Sequence, residues 1–238
     1  MPRRLIVPKT PNISVPKTVP LATCKAFDTL DSGQIAQLNK ASVIQNFGRG
    51  SIIAKQDEPS NYYYVIIDGF VLSNYHDELK HPDQSFIIHP AGFLFEKDSL
   101  FGVKKYMLSY KTLTNVHAVR IDRQRIDDLL HNETFKDYVK DELNNEILSL
   151  RWRAINNTFT IELKVSKLVL MLSEKFGNPL FKISNSDMAN MLDSTRESVN
   201  RTLNKLWDKG LIDMGSGNIF VNSKLKNSIT IESLEASL

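Results

Sequence analysis

A single cysteine, Cys24, stands in a chain of 238 residues, so no internal disulfide forms and no four-thiolate zinc or iron–sulfur centre is built within one chain. That count suits a reducing cytoplasm. Long apolar runs are missing as well: nothing approaches the roughly 20 consecutive apolar residues that span a bilayer, which predicts no membrane partner. Arg3 and Arg4 lead into prolines and polar residues, not into the apolar core of a secretory signal. Charge of one sign is scarce, since 30 Lys and Arg against 27 Asp and Glu leave +3 at pH 7. So small an excess permits a polyanionic partner without demanding one. Catalytic signatures are absent too. The chain has no Gly-x-Ser-x-Gly elbow, no Gly-rich phosphate loop and no His-Glu-x-x-His run, so no nucleophile, base and orienting group come together and no enzyme is expected. His76, His81, His89, His117 and His131 lie mostly in turn-like or polar contexts and read as surface residues, so neither a metal nor haem is expected.

What is present falls into four stretches. Residues 1–23 hold most of the prolines and a near-repeat, Val7-Pro8-Lys9-Thr10 then Val15-Pro16-Lys17-Thr18. Such a composition predicts a flexible tail, or an arm that docks on a partner. Residues 24–122 read as a sensor domain in which Ser42 to about Asp122 alternates short β-rich runs with turn signals, Gly48-Arg49-Gly50, Asp57-Glu58-Pro59-Ser60-Asn61, Asp68-Gly69, His81-Pro82-Asp83 and His89-Pro90-Ala91-Gly92. That spacing predicts a β-barrel or sandwich. Tyr62 to Tyr75, with Asp68-Gly69 at its middle, reads as a type I′ hairpin. Residues 123–157 read as one long helix whose apolar stripe, Phe135, Val139, Leu143, Ile147, Leu150 and Ala154, packs on its own barrel, on the same helix of a second subunit, or on both.

The final stretch, residues 158–238, carries the densest punctuation. A helix over Ile161 to Phe176 ends at Gly177-Asn178-Pro179. Ser184 then caps a second helix, with Asp187 at its third position and Ile183 stapled to Met188, running to about Met191 or Leu192. Asp193 tolerates the left-handed region and permits a sharp turn, after which Ser194 or Thr195 caps a third helix reaching about Trp207. Two helices joined this tightly form a helix-turn-helix. In the third helix Val199, Leu203 and Leu206 share one face, whereas Glu197, Asn200, Arg201 and Asn204 share another, extended by Arg196 at the entrance. Arginine supplies two donors to guanine N7 and O6, and glutamate accepts from cytosine N4. A solvated amphipathic helix is the blander alternative, which the paired caps, the turn and the following hairpin outweigh. That hairpin runs from Ile212 through Val221 about Gly215-Ser216-Gly217 and reads as a wing, with Lys205, Lys209, Lys224 and Lys226 around it. Phosphate contacts are expected from Ser184, Ser194, Thr195, Lys205 and Lys209.

From about residue 42 to 222 the chain resembles the Crp/Fnr family of bacterial regulators. Phe47-Gly48-Arg49-Gly50-Ser51, Asp57-Glu58-Pro59-Ser60, Tyr62-Tyr63-Tyr64-Val65-Ile66 and Asp68-Gly69 are similar to its cyclic-nucleotide-binding-like barrel. Thr195-Arg196-Glu197-Ser198-Val199-Asn200-Arg201 resembles its recognition-helix signature. The resemblance implies an α+β fold: a jelly-roll sensor, a long dimerisation helix (Leu143, Ile147, Leu150, Ala154) and a C-terminal winged helix-turn-helix. It implies a cytoplasmic homodimer that reads palindromic double-stranded DNA with a TGTGA-like or TTGA-like half-site through Arg196, Glu197, Asn200 and Arg201, and works with RNA polymerase. The likeness breaks at the effector site. Where the family's cyclic-nucleotide binders carry an arginine run for the phosphate, this chain aligns Tyr106-Met107-Leu108, and an apolar stretch cannot neutralise a buried phosphate. Cyclic AMP is therefore not expected. An apolar effector among Tyr106, Leu108, Ser149, Leu150 and Trp152 is one expectation, and a filled core with no effector or cofactor is the other.

Overall fold

The computed structural model describes residues 21–235 apart from 29, 78–80, 90, 93, 96–99, 101, 157–158, 178–182 and 216–217. The expected tail therefore lies outside the described residues up to position 20. Its last three positions do not: Leu21–Thr23 forms a 3-10 turn with Leu21 fully buried. The chain divides into two compact units between Trp152 and Arg153.

The first unit opens with α1, Ser32–Lys40, started by a capping box in which Asp31 accepts from the Gln34 backbone and Gln34 reaches back to that of Asp31. Eight strands follow: β1 Ser42–Phe47, β2 Ile52–Ala54, β3 Tyr62–Asp68, β4 Val71–Asp77, β5 His81–His89, β6 Leu94–Phe95, β7 Ser109–Thr112 and β8 Val116–Asp122. They form two four-stranded antiparallel sheets, ordered β1-β8-β3-β6 and β2-β7-β4-β5. The arrangement is a jelly-roll-like sandwich of open sheets.

The hairpin expected at Asp68-Gly69 does not form. β3 pairs with β8 and β6, and β4 with β5 and β7, so the chain changes sheets at this corner. The reason is visible in β3, where Tyr63, Tyr64, Val65 and Ile66 are all buried. Tyr64 and Ile66 join Val71, Tyr110, Val116 and Ala118 in one core. Tyr63 and Val65 join Phe27, Ile121, Ile126 and Phe135 in another. A strand buried on both faces reads as a continuous apolar run and sits inside a layered structure, not in a half-solvated hairpin. Gly69, at φ +94°, makes the corner against the loop before β8.

Tyr106 belongs to the first of these cores, with its hydroxyl donating to the Tyr62 carbonyl at 2.9 Å, and Leu108 packs against the same cluster. At one end of the sandwich Arg123 donates from its guanidinium to the Ser60 hydroxyl (2.7 Å), the Ser60 carbonyl (3.2 Å), the Val103 carbonyl (3.1 Å) and Asp127 (3.2 Å).

The helical stretch beyond β8 is not continuous. It begins as α2, Arg123–Asp127, tightens into a 3-10 turn over Asp128–His131, and restarts as α3, Glu133–Asn156. Asn132 makes the break: its backbone is extended and its side chain accepts from the Phe135 amide at 3.1 Å. The apolar stripe divides along α3. Phe135, stacked on Phe27 with ring centroids 6.2 Å apart, and Val139 are fully buried, and Leu143 is partly covered by the same core. One turn on, Ile147 is 47% exposed and its neighbour Leu148 51%. The side chains of Ser149, Leu150, Trp152 and Ala154 lie outside the described residues.

The second unit packs α4, Ile161–Phe176, with α5, Asn185–Met191, and α6, Arg196–Asp208. A two-stranded antiparallel sheet follows, β9 Ile212–Gly215 and β10 Asn218–Val221, then α7, Ser223–Glu235. Val165, Leu168, Val169, Leu172, Met188, Val199, Leu203, Leu206, Ile212 and Leu225 are buried at 2% exposure or less. The sequence reading contained no helix after the wing. Leu225 and Ile229, four apart and both buried, mark the stripe that anchors α7.

Candidate nucleic-acid interface

The turn between α5 and α6 is built by short-range chemistry. Ser184 caps α5: its hydroxyl accepts from the Asp187 amide at 3.0 Å and donates to the Asp187 carboxylate at 2.6 Å. After Met191 the chain reverses through Asp193, whose φ of +50° uses the left-handed region that Asp tolerates. The Ser194 amide closes the reversal on the Ala189 carbonyl at 2.9 Å. Of the two candidate caps for α6, Thr195 serves, accepting from the Ser198 amide at 3.2 Å, and Ser194 stays in the turn.

This geometry fixes which face of α6 is free. Val199, Thr202, Leu203 and Leu206 point into the core, and the Thr202 hydroxyl donates to the Ser198 carbonyl. Arg196, Glu197, Asn200, Arg201 and Asn204 are exposed. Arg196 and Arg201, lying within one and a half turns of each other, have no ion-pair partner among the described residues. Two guanidiniums and a carboxylate on one solvent-facing helical surface make a donor and acceptor set suited to base edges. Asn200 is partly committed, since its carbonyl oxygen accepts from Asn185 of α5 at 3.0 Å. That bond ties the two helices together and leaves the Asn200 amide nitrogen as a donor.

The lysines differ from expectation in their surroundings. Lys205 and Lys209 both reach Glu162 in the first turn of α4: one carboxylate oxygen bonds Lys205, and the other bonds Lys209 at 2.6 Å. These hydrogen bonds hold the Glu162 carboxyl below the usual carboxylate range. Lys226 pairs with Glu174 at 3.1 Å. Neither Glu162 nor Asn185 stood out in the sequence. Glu162 is 43 and 47 positions from its lysines, beyond any periodicity, and its one local sign is its place two residues after the capping Thr160.

No group of three or more His, Cys, Asp or Glu is placed to hold a metal, and no helix is long and apolar enough to cross a membrane, among the described residues.

Residues 164–224 match the model of a Crp-like helix-turn-helix domain. A CRP-like cAMP-activated global transcriptional regulator of Mycobacterium tuberculosis is 24% identical over 215 residues, spanning 85% of this chain and 94% of that protein. Among solved structures, a transcriptional regulator of the Crp/Fnr family from Eubacterium rectale superposes with a TM-score of 0.69 at 13% identity, covering 85% of this chain and 96% of that one. The c-di-GMP responsive global regulator CLP of Xanthomonas campestris gives 0.66 at 16% identity, covering 81% and 100%.

Proposed function

We propose that this chain is a Crp/Fnr-type transcription regulator that uses its Crp-like helix-turn-helix domain to act in the cytoplasm as a homodimer on an imperfect DNA palindrome. In each subunit Arg196, Glu197, Asn200 and Arg201 meet base edges in the major groove. Ser184, Ser194 and Thr195, around the starts of α5 and α6, meet phosphates, and the role is binding without catalysis. The observation that carries the reading is the exposed face of α6, held outward by two capped helices while its opposite face is buried. A two-fold pair of such helices about 34 Å apart calls for half-sites one helical turn apart. Recruitment of RNA polymerase belongs to the same reading.

Two accounts of control remain, with and without a small-molecule effector. The burial of Tyr106, 5% exposed, in the core between the sheets supports a regulator competent for DNA without a small molecule. Selection of bound sequences from random DNA, with and without cell extract, tests both operator and effector dependence. Arg201→Ala is expected to weaken operator binding by about 1 to 3 kcal/mol and leave random-duplex binding nearly intact. Equal losses on both duplexes would remove Arg201 from the base-reading set.

A further inference from the structure

Lys205 in the last turn of α6 and Lys209 at its C-cap stand one turn apart, and a lysine on a recognition helix ordinarily adds sequence-independent attraction to phosphate. Here one carboxylate takes both. Thr160 caps α4, which puts Glu162 in the first turn, where the helix dipole favours a negative charge. Each of its two oxygens engages one ammonium group. Glu162 is the more enclosed member, 22% exposed against 55% for Lys205 and 46% for Lys209. Three charges thus form a unit of net +1 where the lysines alone would present +2. A phosphate that approached them would displace a carboxylate already in place, or face its repulsion. The base-reading arginines on the same helix meet no such competitor among the described residues.

We propose that Glu162 is a specificity-determining residue, an internal counter-ion that withholds Lys205 and Lys209 from indiscriminate phosphate contact. Discrimination between sequences is thereby left to the exposed face of α6. This rests on the DNA-binding reading above and deepens it. Random DNA gains only from charge, so it loses most by the sequestration; an operator, held also through base edges, loses less.

The test is fluorescence anisotropy of the full chain on a selected operator and on a scrambled duplex, over a range of salt concentrations. Glu162→Gln keeps the size of the side chain and removes its charge. It is expected to tighten scrambled-duplex binding roughly 3- to 10-fold at about 0.1 M salt, and to steepen the log–log salt slope by about 0.9 for each lysine released. The operator-to-scrambled ratio falls. The triple variant Glu162→Gln with Lys205→Gln and Lys209→Gln, which removes the paired charges together, cancels that gain and returns scrambled-duplex binding close to the native level. A folded Glu162→Gln protein with unchanged or weaker scrambled-duplex binding overturns the proposal. So does a tenfold loss of scrambled-duplex binding in the triple variant relative to the native protein, a measurement that stands even if Glu162→Gln alone fails to fold. Failure of the native protein to bind either duplex overturns the DNA-binding reading itself, whereas normal native binding with an unresponsive Glu162→Gln overturns only the role of Glu162.

Discussion

Gly69 is the residue on which the change of sheets turns. A Cβ there would lie 2.3 Å from the Asn115 carbonyl oxygen and 2.8 Å from the Thr114 hydroxyl, at a φ of +94° that L side chains avoid. The neighbouring backbone is pinned on both sides, with the Phe70 amide donating to the Thr114 hydroxyl and the Leu113 amide to the Phe70 carbonyl. Gly69→Ala is therefore expected to destabilise the protein by roughly 2 to 4 kcal/mol, measured by urea unfolding. A second residue-scale expectation concerns alkaline pH. Burial pushes the Cys24 thiol up from 9.0 to about 11, and burial beside Glu142 raises the nearby Tyr138 hydroxyl as well. Between pH 9 and 11 the unfolded chain gives up a proton from Cys24 that the folded chain keeps. Stability is therefore level below pH 9 and falls as pH rises, by of order 2 kcal/mol from Cys24 at most. Unfolding curves collected from pH 8 to 11 read this directly, and Cys24→Ala should flatten the fall.

At the scale of elements, local signals and distant ones separate cleanly. The helix-turn-helix was legible because each cue lies within a few residues of its effect: Ser184 and Asp187 on one cap, Asp193 in the turn, Thr195 and Ser198 on the other. The sandwich was legible only as a list of strands. Whether β3 pairs with β4 or with β8 is decided by contacts such as Val65 with Val119, which no turn signal encodes. Glu162 stayed hidden for the same reason. The stripe on α3 shows both regimes, buried at Phe135 and Val139 and open at Ile147, beside the equally exposed Leu148. An apolar stripe that outlasts its own core suits the matching helix of a second subunit. Ile147→Asp with Leu148→Asp is expected to give a monomer by sedimentation, with the thermal midpoint of the dilute protein little changed and operator affinity reduced at least tenfold.

At the scale of the whole molecule, the two units answer to different rules, one stabilised by sheet pairing across the chain and one by helices near each other in sequence. The proposed dimer, reading DNA twice, sets a ruler as well as a code. Inserting five base pairs between half-sites puts the second on the opposite face of the duplex, and the tight complex should revert to the strength of a single half-site in a shift assay. The stacking of Phe27 on Phe135 has a consequence for biosynthesis. The first turns of the fold lock beneath a helix encoded more than a hundred residues later, so the amino-terminal strands must wait, incompletely covered, until that helix has left the ribosome. The carboxyl-terminal unit, whose contacts span shorter stretches of chain, has a shorter delay. Nascent-chain protection should therefore appear abruptly once Val139 emerges, and not strand by strand.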